Sequence, residues 1–168
     1  MLLGAHMSVE GGVENAIDRG ESIGCTAIQI FAKNNRRMFA PPLQEENIRT
    51  FKKKKRGANI KVVFSHAGYL INLASPKKSS WDASIRSMRD ELERAESLEL
   101  PFVVLHPGAS VGQSKDEGIN KVVAALKQLI RQTKGYKVKI ALENTAGAGT
   151  AIGSRFEELA QILDRAEE

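Results

Sequence analysis

The feature that most constrains this 168-residue chain is a plan used three times: a short apolar run ends in an ionisable side chain and then breaks. Phe102-Val103-Val104-Leu105 leads into His106, and Pro107-Gly108 stops the run. Lys61-Val62-Val63-Phe64-Ser65 leads into His66 before Ala67-Gly68. Lys137-Val138-Lys139-Ile140-Ala141-Leu142 leads into Glu143 before Asn144-Thr145-Ala146-Gly147. Near-continuous β-branched and apolar runs of this length read as strands of a parallel sheet, buried on both faces. In such sheets ligands and catalytic groups gather at the carboxyl ends of the strands. Two histidines and a glutamate there form a donor set for a divalent metal, and zinc, manganese and iron all suit it. A zinc ion so held would bring a bound water to a pKa of about 7 and supply hydroxide for hydrolysis.

Between these runs the spacing predicts helices throughout. The first strand is Leu2 to His6; Ser8 is placed to cap a helix over about Gly12 to Ile23, ended by Gly24. Strand two is Thr26 to Phe31, followed by a polar loop to Pro42 and a helix from about Gln44 to Arg56. Strand three is Ile60 to His66. Ser79 with Asp82 is a variant capping box opening a helix to about Leu98. Strand four is Phe102 to His106, and Ser114 with Glu117 is a capping box for a helix to about Thr133. Strand five is Val138 to Glu143, and Ser154 with Glu157 is a third capping box for the last helix. Five βα units in strict alternation imply parallel pairing with right-handed crossovers. Either an open doubly wound sheet or part of a (β/α)₈ barrel satisfies that order, and residues 1–168 read as one domain.

The bulk numbers narrow the function classes. No apolar run is long enough to cross a bilayer, and the N-terminus lacks the pattern of a signal peptide. One cysteine, Cys25, argues against a disulfide scaffold and fits a reducing compartment, so a cytoplasmic location is expected. Ser8-Val9-Glu10-Gly11-Gly12 lacks the dinucleotide fingerprint, and no Lys-Ser/Thr follows Gly147-Ala148-Gly149, so both nucleotide motifs fail. Net charge is +5, and between Lys33 and Lys61 ten basic residues face only Glu45 and Glu46. One-sided positive charge is the footprint of a polyanion binder. For Lys52 to Arg56 alone, a solvated face complementing the helix C-terminus is the preferred reading.

All three histidines, His6, His66 and His106, fall at strand ends. Asn34, Asn35, Arg36 and Arg37 lie in the loop after strand two, at the same end of the sheet, where amides and guanidinium groups suit phosphates and a groove. Tyr69 follows His66 by three residues and is placed to stand beside the metal as a stacking ring. Trp81, at a helix start, is read as packing.

These residues resemble endonuclease IV. The resemblance is carried by Gly4-Ala5-His6-Met7-Ser8 with Gly11-Gly12, by Phe31-Ala32-Lys33-Asn34-Asn35-Arg36 and by Ala40-Pro41-Pro42-Leu43. It continues through Ser65-His66-Ala67-Gly68-Tyr69-Leu70-Ile71-Asn72-Leu73, Leu105-His106-Pro107-Gly108 and Leu142-Glu143-Asn144-Thr145-Ala146-Gly147. It covers the chain from end to end and implies an α/β fold of TIM-barrel type with about five of the eight βα units. It also implies cleavage of double-stranded DNA on the 5′ side of abasic sites, with up to three zinc ions. On that pattern His66, His106 and Glu143 hold the first zinc, and Glu143, the catalytic carboxylate, bridges to a second. Arg36 and Tyr69 enter the duplex, Asn34 and Asn35 lie along its groove, and His6 and Ser8 stand near the site. The family's later strands, with the remaining ligands, have no counterpart here. The chain is therefore expected to be an N-terminal portion with one complete zinc site, weak catalysis and exposed barrel edges open to self-association. Two other readings are a metal-dependent sugar isomerase or epimerase of the xylose-isomerase-like group, and a non-catalytic module that binds damaged DNA.

Overall fold

Burial along the strands alternates, and this decides how the layers are built. In the computed structural model, which describes residues 1–167, the strands are β1 (Gly4–Met7), β2 (Ala27–Ile30), β3 (Val62–His66), β4 (Phe102–Leu105) and β6 (Lys139–Leu142). They form one sheet in the order β1-β2-β3-β4-β6, every neighbouring pair parallel. Ile28, Ile30, Val63, Val103 and Leu105 are buried under the helices. Their neighbours on the other face, such as Phe64 and Phe102, are only half-buried and stack on each other at 4.8 Å. The runs expected to be covered on both faces are therefore covered fully on one.

The covering layer consists of α1 (Asn15–Ser22), α2 (Glu45–Gly57), α3 (Lys78–Ser97), α4 (Lys115–Gln132) and α5 (Phe156–Glu167). Ile17, Phe51, Met88, Leu92, Val122 and Leu126 meet the sheet in one continuous core. None of the described helices is long and apolar enough to cross a membrane. Trp81 packs against this core and donates its indole N–H to the Leu73 and Lys121 carbonyls, as a packing residue should.

Helix starts separate the real caps from the apparent ones. Ser114 accepts from the Glu117 N–H at 3.2 Å, and Glu117 accepts from the Ser114 N–H at 2.8 Å, a complete capping box. Ser8 does not cap α1: its hydroxyl accepts from Glu10 N–H, Gly11 and Gly12 turn the chain at positive φ, and the helix begins only at Asn15. Ser79 does not cap α3 either. The helix already starts at Lys78, whose ammonium pairs with Asp82, the supposed partner of the box. At α5 the start lies one residue later than expected, so Glu158 rather than Glu157 takes the orphan Gly153 N–H at 2.8 Å. Each strand also ends within a residue or two of its expected position, Glu143 and His106 lying just beyond β6 and β4.

A second, two-stranded antiparallel sheet joins β5 (Gly108–Ala109) to β7 (Ala151–Ile152). The sequence gives no warning of it, because two-residue strands carry no periodicity. Lys52 to Lys55 sit at the last turns of α2, at the end of the sheet where the strands begin. Lys52 pairs with Glu99, Lys54 with Asp18, and Lys55 donates to the Glu99 carbonyl. Lys52 and Lys54 are thus compensated by carboxylates, and the run lies away from the strand carboxyl ends. That supports the solvated-face reading and removes the run from the polyanion footprint.

The caps generate a paired test. Ser114→Ala is expected to lower unfolding free energy by about 1 kcal/mol. Ser79→Ala, inside an exposed helical turn, should change it by less than about 0.5 kcal/mol. Urea denaturation of both variants checks the pair.

Candidate metal centre

Three adjacent strands each carry one donor at or just beyond their carboxyl ends. His66 is the last residue of β3, His106 follows β4 directly and Glu143 follows β6 directly. His66 Nε2 lies 2.9 Å and His106 Nε2 3.0 Å from the same oxygen, Glu143 Oε2. The ligand atoms of the three residues all fall within 4.8 Å of one another, a spacing that could hold a metal ion.

The tautomer of His66 strengthens that fit. Its Nδ1 lies 2.7 Å from the Ala67 carbonyl, which can only accept, so Nδ1 carries the proton. In the neutral ring Nε2 then presents a lone pair to a carboxylate oxygen. Two lone pairs at that distance repel unless a positive charge lies between them. A backbone carbonyl orienting a ligating imidazole from behind is the usual outer support of a metal-binding histidine. His66 is buried, whereas His106 and Glu143 are partly open to solvent.

His6 stands apart from the three. Its Nδ1 is 2.8 Å from Gln29 Nε2, and its ring lies 4.3 Å from Phe31. Partial burial lowers its pKa, and the nearby His66 lowers it further. Phe31 is the hub of the aromatic wall beside the site, 5.8 Å from His66 and 5.4 Å from Tyr69. Tyr69 itself is exposed, 5.7 Å from the His66 ring and 6.4 Å from the His106 ring. An open cleft of about 600 Å³ runs beside the wall, lined by His6, Ser8, Phe31, Asn34 and Asn35 among others. Arg36 and Arg37 are exposed at its rim and pair with no carboxylate among the described residues. Asn34 shapes that rim by accepting from the Arg36 N–H at 2.9 Å. The structure thus brings the expected metal ligands together with Tyr69 beside them, and places Asn34 and Asn35 in the neighbouring cleft, with Arg36 exposed next to Asn35.

Comparison with known proteins follows the same lines. The xylose isomerase-like TIM barrel family matches residues 17–168. The chain belongs to this family. Among curated family relatives, the probable endonuclease 4 of Chloroflexus aggregans is 44% identical over 161 residues, covering 96% of this chain and 56% of its own length. Among solved structures, the endonuclease IV of Thermus thermophilus superposes with a TM-score of 0.80 at 32% identity, covering 96% of this chain and 59% of that one. A D-tagatose 3-epimerase-like protein superposes at 0.74 with 19% identity, over 96% of this chain and 60% of that one, a likeness of fold alone. The chain spans a little over half the length of the curated relatives it matches. The five βα units form a partial barrel, as the resemblance implied; the element order alone also allowed an open doubly wound sheet.

Sequence reading overlooked the residues that sew the ligand loops together. Asn72 Oδ1 accepts from the Ala109 and Ala74 N–H groups at 3.0 Å, and its Nδ2 donates to the Ala109 carbonyl at 3.0 Å. It therefore replaces a strand partner for the backbone just after His106. Gly108 has φ +122°, and a Cβ there would lie 2.2 Å from Asn72 Oδ1, so only glycine admits this clamp. The β5–β7 pair and the Thr145 N–H bond to the Gly153 carbonyl at 2.9 Å continue the belt to the segment after Glu143. An asparagine in a loop has no periodic signal; only its place between two glycine-bounded strand ends hinted at a clamp. Asn72→Ala is expected to cost about 1–3 kcal/mol, because the Ala74 and Ala109 N–H groups and the Ala109 carbonyl all lose this partner. Asn72→Asp keeps both acceptor bonds and should cost less; thermal unfolding and amide exchange at Ala109 report the difference.

Proposed function

We propose that this chain is the metal-ligating, lesion-reading portion of an endonuclease that hydrolyses DNA on the 5′ side of abasic sites. The observation that carries the reading is the convergence of His66, His106 and Glu143 on one point, with Tyr69 and Arg36 exposed around it. The likeness to the probable endonuclease 4 of Chloroflexus aggregans and to endonuclease IV of Thermus thermophilus supports the substrate class.

The donor set of two imidazoles and a carboxylate suits zinc. A zinc ion held there acts as a Lewis acid toward a phosphoryl oxygen and acidifies water. The chain's own residues do the rest. Ala67 holds His66 in the tautomer that offers Nε2, and Glu143 supplies a carboxylate oxygen at the centre of the set. Tyr69 offers an exposed ring face for stacking at an unstacked nucleotide, where the cost of opening the duplex is least because a base is already lost. Arg36 reaches phosphate and groove from the rim, and Asn34 and Asn35 present amides along the cleft. His6 and Ser8 line the same cleft and shape it without joining the donor set. The lone Cys25 is buried as a free thiol, which fits a reducing compartment such as the cytoplasm. Strands β1 and β6 lie at the edges of the sheet, and unpaired edges favour association of copies, which sedimentation velocity reads.

The deciding experiment uses a duplex with one tetrahydrofuran abasic analogue beside the intact duplex. The chain is expected to bind the abasic duplex more tightly, with affinity falling as salt rises. Nicking, slow in this chain alone, should need zinc, disappear with EDTA, and fall more than about 100-fold in Glu143→Gln. Zinc should also raise the melting temperature of the wild-type chain by mass action, and not that of Glu143→Gln. Equal affinity for the two duplexes, or nicking that survives EDTA, overturns the reading.

A further inference from the structure

The largest group of buried ionic side chains lies away from the metal ligands, on one face of α3. Ser87, Asp90, Glu91 and Arg94 follow a three-and-four spacing along that face, and Lys33 enters it from the loop after β2. Lys33 Nζ lies 2.7 Å from Asp90 Oδ2, 3.1 Å from Ser87 Oγ and 3.5 Å from Glu91 Oε1. The Lys33 and Glu91 side chains are each 1% exposed. Sequence reading counts Lys33 with the cations open to a polyanion; the structure buries it.

Each member of the cluster fastens a loop. Ser87 Oγ donates to the Met38 carbonyl at 2.6 Å, and Arg94 donates to the Ala40 and Pro41 carbonyls at 2.9 and 2.7 Å. The loop carrying Asn34, Asn35 and Arg36 is therefore tied to α3 at both ends. Glu91 Oε1 also accepts from the Gly68 N–H at 3.2 Å, beside Tyr69. The two loops abut there, since a Cβ on Gly68 would lie 3.6 Å from the Asn35 carbonyl oxygen. One carboxylate oxygen thus serves the Arg36 loop, through Lys33, and the Tyr69 loop directly.

Stability alone does not account for this arrangement. Two cations and two anions are taken out of water, and a well-packed apolar replacement of such a group is often as stable or more so. Burial pushes the Glu91 carboxyl up against the pull of Lys33 and the Gly68 N–H, and its Oε2 has no hydrogen-bond partner among the described residues. What the ionic bridge provides and an apolar contact does not is a directional link between two loops.

We propose that the buried Lys33–Glu91 bridge is a positioning device that locks the Asn34–Arg36 loop to the Gly68–Tyr69 loop, so that both reach a damaged duplex in one preset geometry. Lys33 and Glu91 touch no DNA; they act through Arg36 and Tyr69. The inference rests on the proposed DNA function for its purpose, and on the contacts above for the lock itself.

The test replaces the pair by apolar side chains of similar length, Lys33→Met with Glu91→Met. Zinc affinity in chelator competition and amide exchange in α4 should stay near wild type, while the melting temperature falls modestly because the buried Gly68 N–H loses its acceptor. Residues 34–38 and 67–70 should lose exchange protection together. Affinity for the tetrahydrofuran duplex should fall roughly tenfold or more, with little change for intact duplex, since small misplacements of contact groups are costly. Unchanged discrimination in the folded double variant, or loosening of one loop alone, overturns the proposal. Should the double variant not fold, Glu91→Gln keeps the acceptor for Gly68 and the side-chain volume while weakening the hold on Lys33. It should then reduce discrimination with the fold intact, and wild-type discrimination overturns the proposal. A wild-type chain that does not prefer the abasic duplex overturns the functional reading instead, and the exchange measurement alone then decides the lock.

Discussion

One carboxylate oxygen, Glu143 Oε2, faces two imidazole nitrogens at 2.9 and 3.0 Å, and most of the structure above the strand ends serves that meeting. Neighbouring strands run about 4.8 Å apart, so donors at equal heights on adjacent strands come within reach of one ion. Strands β3, β4 and β6 are adjacent, and their register sets His66 against Val104 and Leu105 against Leu142. His106 and Glu143 follow the second pair at one height, and the His66 side chain spans the two-residue offset to the same carboxylate oxygen. The adjacency of β3, β4 and β6 is what delivers the three donors to one place. The parallel sheet is therefore the first condition of the site, and the core beneath it is what keeps the register.

Strand ends fix where a chain leaves the sheet but not where its side chains go. That second task falls to polar contacts between loops. Asn72 and the short β5–β7 pair bind the segments after His106 and Glu143 to the segment after His66. On the other side of His66, the polar face of α3 holds the loops that present Arg36 and Tyr69. Loops over a sheet have few apolar contacts of their own and open more readily than the core. Hydrogen bonds and buried charge supply the stiffness that packing cannot, and they supply it with direction.

This division explains what could be read from the sequence. The five βα units and the strand-terminal positions of His66, His106 and Glu143 were legible because apolar runs with abrupt breaks report strand ends directly. The Ser114 box was legible because donor and acceptor are both local. The apparent boxes at Ser79 and Ser154 misled because the helix starts are displaced, two residues earlier at α3, where no side chain caps the N-terminus, and one residue later at α5, where Glu158 takes the contact. Lys33, Asn72 and Glu91 were invisible, since their partners lie tens of residues away and polar loop residues carry no period. The half-open face of the sheet also escaped prediction, because Phe64 and Phe102 look the same in sequence whether one face or both are covered.

Charge placement bears on how a polyanion would meet this fold. The lysine run of α2 dominates the sequence, yet it lies at the end of the sheet opposite the donors and is met by Glu99 and Asp18. Lys33 is neutralised within α3's polar face. In the loop after β2, Arg36 and Arg37 remain exposed without a carboxylate partner among the described residues. A divalent ion would add two positive charges against the single negative charge of Glu143, the imidazoles being neutral ligands, and so leave a net charge of about +1 where the three donors meet. On the proposed function, attraction for phosphate is then concentrated where the ligands converge instead of spread over a basic surface. A cation so placed favours one phosphodiester over its neighbours, and the exposed ring of Tyr69 beside it favours the one next to an unstacked nucleotide. On that proposal local charge and local stacking would together select the lesion, whereas a diffuse basic face would select only DNA.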